Sequence, residues 1–171
     1  VTEIGDEAFR ECSALTSITI PNSVKEIGGR AFNNCSALTS ITIPDSVTEI
    51  GDYAFYDCSS LTSLVIEEGS VLEYIGSYAF NVYSLKGHLV IPNTVKYIGN
   101  YAFYNTQMSF EITSDSQLEQ IGNWAFANNW NGQSTIYLSS KVVYVGSNAF
   151  TTSNFTIYCE SESRPSAWDV K

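Results

Sequence analysis

Cys12, Cys35 and Cys58 stand 23 residues apart, a regular spacing of thiols that raises redox or zinc chemistry first. Neither fits well. There is no Cys-x-x-Cys pair, the single histidine, His88, lies far along the chain, and Cys159 falls outside the series. Residues at like positions of successive units point the same way, whereas a disulfide needs Cβ atoms converging to about 3.5 to 4.5 Å. Buried, unpaired thiols are expected, with Cys159 accessible to solvent. No Gly-x-Ser-x-Gly elbow, His-Glu-x-x-His helix or glycine-rich phosphate loop is present, and one histidine limits any triad. Carboxylates recur in rows such as Glu3, Glu26 and Glu49, from which no acid and base pair stands out. The lone Asp115 of "TSDSQ" supplies too few carboxylates for a calcium loop. The expectation is a non-catalytic chain with no cofactor and no metal.

Aromatic residues offer more. Tyr53, Tyr78, Tyr101 and Trp124 precede an Ala-Phe pair at matching places, and Tyr56 and Tyr104 follow the Phe. Such a column is either a platform for sugars or a protein partner, or a ladder that seals unit against unit. Two sequons, Asn34-Cys35-Ser36 and Asn154-Phe155-Thr156, matter only in a eukaryotic secretory route.

A fixed period positions all of these residues. Ile-Gly or Val-Gly occurs at residues 4, 27, 50, 75, 98, 121 and 145, in steps of 23, 23, 25, 23, 23 and 24. Ala-Phe follows each glycine by three residues, from Ala8-Phe9 to Ala149-Phe150. A unit this short cannot bury its own apolar side, so neighbours must stack on one continuous core. Within a unit, "LTSITIP" alternates Ile18 and Ile20 with Ser17 and Thr19, the period of a strand with one buried face. Pro21, Pro44 and Pro92 end such strands. A second short extended piece leads to the glycine, which is expected to take a backbone angle that a side chain resists. Asp6, Asp52, Ser77, Asn100, Asn123 and Ser147 then read as caps of short helical turns, with Gly29 the exception.

The triplets Leu15, Ile18, Ile20; Leu38, Ile41, Ile43; and Leu61, Leu64, Ile66 match the pattern L-x-x-L-x-L. With Ile-Gly-x-x-Ala-Phe-x-x-Cys added, the chain resembles the BspA-like leucine-rich repeats of bacterial surface proteins over nearly all its length. "IPDSVTEIGDYAFYDCSSLTS" at 43 to 63 carries the resemblance best, and "IYCESESRPSAW" at 157 to 168 is similar to the family's terminal segment. Departures are local: two-residue expansions at 67 to 72 and 113 to 118, a displaced leucine in "NVYSLKGHLVI", and loss of the cysteine in later coils. The resemblance implies an α/β solenoid, a right-handed, β-rich leucine-rich repeat of about seven coils with a parallel sheet and short helical turns. It also implies surface or secreted localisation and adhesion to host matrix or bacterial surface proteins.

Composition agrees with one undivided domain over residues 1 to 171, 44% hydrophobic and 15% charged. The start at "VTEIG", halfway through a repeat, reads as a fragment of a longer protein, with earlier repeats meeting the end that carries Ile4, Phe9 and Ile18. Residues 159 to 171 read as a capping segment in which Trp168 covers the last coil. Eighteen acids against eight bases, a net charge of −10, argue against nucleic acid and anionic lipid as partners, and no apolar stretch approaches a membrane span.

Two function classes follow, a protein-recognition module or a spacer that presents another domain. Seven strands about 4.8 Å apart would make a face roughly 30 Å across. Its outward slots read Ser17 and Thr19, Ser40 and Thr42, Ser63 and Val65, His88 and Val90, Ser109 and Glu111, Thr135 and Tyr137. The face turns from uniform to mixed, so Val65, His88, Val90, Glu111 and Tyr137 are the candidate ligand-binding residues. Drift in degenerate repeats is the plain alternative, and the column Tyr53, Tyr78, Tyr101 and Trp124 is the rival face.

Overall fold

A computed structural model of the chain describes residues 1–129 and 132–160. The terminal segment with Trp168, read above as a cap, lies outside them beyond Glu160. Among the described residues the chain winds as a solenoid of all-parallel strands, two per coil after the first, which has one. A two-residue strand sits at every Ile-Gly or Val-Gly, from Glu3–Ile4 to Tyr144–Val145, and the seven join in chain order into one sheet. Ile4, Ile27, Ile50, Ile75, Ile98, Ile121 and Val145 stand in register and point into the core.

The longer strands form the second wall. Ser40–Ile43 pairs with Ser63–Ile66, and Lys86–Val90, Gln107–Ile112, Ser134–Leu138 and Phe155–Cys159 form a four-stranded ladder. Six strands in two ladders thus replace the expected seven in one sheet, because Leu15 to Ile20 of the first coil makes no strand. Between Ser63–Ile66 and Lys86–Val90 the ladder breaks. Gly87 (φ 111°) lies there, and Lys86, Gly87 and His88 are exposed in succession, which interrupts the alternation of buried and exposed residues.

No helical turn follows the glycine. In the third coil Ala54, Tyr56 and Cys58 donate backward within the coil to Gly51, Tyr53 and Phe55, whereas Tyr53, Phe55 and Asp57 donate to Ser77, Ala79 and Asn81 of the next coil. Half of the amides therefore run along the solenoid axis, which a helix forbids because all its amides point one way. The reversal is achieved by left-handed residues four apart, such as Tyr53 (φ 60°) and Asp57 (φ 55°), repeated as Tyr101 (φ 57°) and Asn105 (φ 60°). Each non-glycine residue held there costs about 1–2 kcal/mol, offset by the inter-coil bond it makes possible.

The recurrent glycine has a different role from the one expected. Its backbone angle is ordinary at every Ile-Gly and Val-Gly position, and the left-handed residue lies two positions later. Space is the constraint. A Cβ on Gly99 would lie 2.4 Å from the Ser77 backbone nitrogen, and one on Gly146 would lie 2.4 Å from that of Asn123. The residues read as helix caps act between coils too. Asp6 Oδ1 accepts from Gly29 N at 2.6 Å, Asp52 Oδ1 from Ser77 N at 2.6 Å, and Asn100 Oδ1 from Asn123 N at 2.7 Å.

Phenylalanine fills the core as a ladder. Phe9, Phe32, Phe55, Phe80, Phe103, Phe126 and Phe150 stack with centroids 5.1 to 5.7 Å apart. Beside them lies the thiol column. All four cysteines are free. Cys35 and Cys58 are buried and donate to the carbonyls of Phe9 at 3.0 Å and Phe32 at 3.1 Å. Burial pushes the Cys58 thiol up to about 12, and it raises Cys35 as well. Cys12, expected to be buried with them, is exposed, since it lies in the end coil where Ala8 is also exposed and Phe9 only partly covered.

Two outcomes follow from this packing. Gly99→Ala should destabilise the domain by about 3 kcal/mol or more, the upper range for overpacking against backbone, whereas Gly5→Ala, which meets nothing within 4 Å, should be nearly neutral; thermal unfolding of both variants measures the contrast. A thiol reagent at pH 8 should label Cys12 and Cys159 in the folded protein and all four cysteines only after denaturation without reductant. Mass spectrometry that finds Cys58 labelled in the native state would contradict the buried column.

Candidate functional site

The ladder of longer strands carries its candidate residues on outward positions that the core cannot use. Val65 and Val90 are each 48% exposed, at the ladder edges that face the break. Across the strand pair Val90 stands opposite Glu111, and His88 opposite Ser109. His88 Nδ1 shares a hydrogen bond with Ser109 Oγ at 2.9 Å, and its Nε2 lies 3.7 Å from Glu111 Oε2. A serine, a histidine and a carboxylate are thus strung together, but on an open face. The amides on either side of Ser109 are already engaged, Met108 N with Thr106 Oγ1 at 3.4 Å and Phe110 N with Ser134 Oγ at 2.9 Å, so neither is aimed at an oxyanion beside the serine. The arrangement suits contact better than acyl transfer.

Tyr137 does not join this group. Glu111 pairs with Thr135, so Tyr137 sits two residues further along, stacked on Tyr158 at 4.7 Å. The slots read from the sequence paired Glu111 with Tyr137, which assumed an apolar residue opposite Phe110. Ser134 takes that inward place instead, buried to 2%, and its hydroxyl accepts from the Phe110 amide at 2.9 Å. A polar residue in a core position hid the register.

The rival column is real and continuous. Tyr53, Tyr78 and Tyr101 stack with centroids 4.7 Å apart, and Trp124 continues the stack at 6.1 Å. Tyr56 and Tyr104 meet it edge-on. The Arg30 guanidinium lies 5.3 Å from the Tyr53 ring and closes that end. Ring faces are therefore turned to one another, and what the column offers a partner is its edges and hydroxyls. Desolvation first, and then neighbouring phenols, raise the Tyr78 hydroxyl above the usual tyrosine range. These rings do seal coil to coil. A groove nonetheless runs beside them, floored by Asp52, Ser77, Asn100 and Asn123.

Other features were harder to find in the sequence. Tyr74 and Tyr97 stack at 4.7 Å on the outward side of the two-residue strands, in the slot that Glu3, Glu26 and Glu49 hold in earlier coils. The signal was available, since that row changes from acid to aromatic at the fourth coil. Burial, then Glu26 and Asp52, raises the Glu49 carboxyl. Asp115 takes hydrogen bonds from Thr113 Oγ1 and Asn93 Nδ2 on separate oxygens, at 2.6 Å each, and these hold its carboxyl below the usual range. Among the described residues, no three histidine, cysteine or acidic side chains are grouped to hold a metal ion, and no helix is long and apolar enough to cross a membrane.

Comparison with known proteins agrees with this architecture. The model of the BspA type leucine-rich repeat region matches six copies, over residues 1–88 and 73–163. The leucine-rich repeat protein of T. pallidum is 27% identical with a TM-score of 0.67, over 92% of this chain and 67% of that one. A leucine-rich cell surface protein from Faecalibacterium prausnitzii A2-165 is 25% identical with a TM-score of 0.57, over 94% of this chain and 52% of its own. The pneumococcal vaccine antigen PcpA is 28% identical with a TM-score of 0.58, over 85% of this chain and 39% of its own. The chain thus spans only about half of the F. prausnitzii protein and less of PcpA. No curated protein gives a significant sequence match. With its period, its parallel coils and the family match over nearly its whole length, the chain belongs to the BspA-type leucine-rich repeat family.

Proposed function

We propose that this chain is a non-catalytic, protein-binding module of a bacterial surface or secreted protein that serves adhesion. Its partner docks on the face of the longer strands, around Val65, His88, Val90 and Glu111, with Tyr137 at one margin. The observation that carries this reading is the exposure of Val65 and Val90 at the break, in a stretch of the face whose other outward residues are serine, threonine, His88 and Glu111, away from the Tyr137 and Tyr158 stack at its far end. Covering the exposed half of each valine is worth about 1 kcal/mol, and a small apolar centre within a polar surround is the usual plan of a binding hot spot. Family membership supports the same reading, since leucine-rich repeats are generally interaction modules, and one structural neighbour is a cell surface protein.

The test is capture of the purified domain by an immobilised extracellular-matrix preparation. The wild type should be retained at elevated salt, because the contact is centred on apolar groups. Val90→Lys and Val65→Lys should each abolish retention while leaving the unfolding transition within about 0.5 kcal/mol of wild type, as expected for exposed positions. Normal binding by both variants would reject this face. Absence of capture in the wild type would favour the spacer reading.

A further inference from the structure

The groove beside the aromatic column presents a repeating set of polar groups that inter-coil bonding leaves free. Asp52, Asn100 and Asn123 each accept an amide of the next coil through Oδ1, which leaves Oδ2 of Asp52 and the Nδ2 groups of Asn100 and Asn123 open to the groove. Opposite them stand the phenol edges of Tyr53, Tyr78 and Tyr101. These side chains are held in place twice, by backbone φ of 57 to 60° and by face-to-face stacking, so little freedom remains to be lost on binding. Asp52 is the single charged residue of this lining.

We propose that this groove binds a linear, neutral polysaccharide laid along the solenoid axis, its hydroxyls meeting the phenol and amide groups coil by coil. The charge balance excludes a polyanion, since the one charge in the groove is negative and the chain carries −10 overall. Period argues against an extended polypeptide. A strand advances about 3.3 Å per residue and repeats a face about every 6.6 Å, out of step with rings 4.7 Å apart. A glycan carries several hydroxyls spread along and around every sugar ring, so it can meet the phenol and amide groups of successive coils without matching their period. Because the ring faces are already stacked, recognition here is by hydrogen bonds at ring edges and not by sugars lying flat on aromatic faces. The site is separate from the longer-strand face, and its ligand is of another class.

Isothermal titration of the purified domain with cellohexaose, xylohexaose, mannohexaose and N-acetylchitohexaose tests the proposal. At least one hexasaccharide should bind, at least about tenfold more tightly than its disaccharide, since each further coil engaged adds hydrogen bonds. The double variant Tyr78→Phe with Tyr101→Phe keeps the stack and removes two hydroxyls; it should weaken binding about tenfold with unchanged thermal unfolding. Val90→Lys should leave sugar binding unaltered, which separates this site from the protein-binding face. The proposal is overturned if none of the four sugars binds at millimolar concentration, if the double variant binds like wild type, or if an alternating Ser-Thr dodecapeptide binds the groove in place of the sugars.

Discussion

Among the described residues, each coil that is followed by another directs alternate amides along the solenoid axis, and the remaining features follow from that one constraint. An amide that bonds to the next coil holds the coils at the spacing of hydrogen-bonded strands, about 4.8 Å, so like positions must lie directly above one another. Phenylalanine then stacks on phenylalanine, tyrosine on tyrosine, and thiol beside thiol. The same distance leaves no room for a Cβ where the backbones pass closest, and glycine recurs there. It also requires left-handed residues within each turn, which is why Asn34, Asp57, Asn105 and Asn128 recur at the second such place and why the described turns are not helical.

A repeat built this way is stable through its interfaces more than through its units. One coil of about 23 residues makes few contacts within itself, and its buried side chains touch mainly the coils on either side. The buried ring of Phe55, for example, meets Phe32 and Phe80, from the coils before and after it. Removing such a ring would cost about 3–5 kcal/mol, shared between two interfaces. End coils have only one interface, and the partial exposure of Phe9, Leu15 and Ile18 shows the consequence.

Much of this was legible in the sequence because a strict period turns a local pattern into a spatial one. The solenoid, the inward isoleucines, the phenylalanine ladder and the tyrosine column all follow from residues 23 to 25 apart. What stayed hidden were features set by backbone direction. Nothing in "GDYAF" says whether its amides run along the turn or across it, and the helical reading of Asp52 was the ordinary one for an isolated peptide. The candidate face was partly legible for a similar reason. Val65, His88, Val90 and Glu111 were found by counting outward slots, whereas Tyr137 was put in the wrong row because buried Ser134 does not look like a core residue.

The break between Ser63–Ile66 and Lys86–Val90 gives the molecule a mechanical asymmetry. On one wall the two-residue strands continue across the boundary without interruption, while on the other the two ladders are separate. A bending load is therefore taken up unevenly: the continuous wall acts as the pivot and the interrupted wall as the side that opens or closes. Tension along the axis loads the inter-coil hydrogen bonds lengthwise, one boundary at a time, and on the longer-strand wall this boundary carries one backbone bond, Lys86 N to Thr62 O at 3.4 Å, as the first boundary does with Thr39 N to Thr16 O at 3.3 Å. Val65 and Val90 flank a place where such a deformation would be large, so whatever covers both valines also splints the joint.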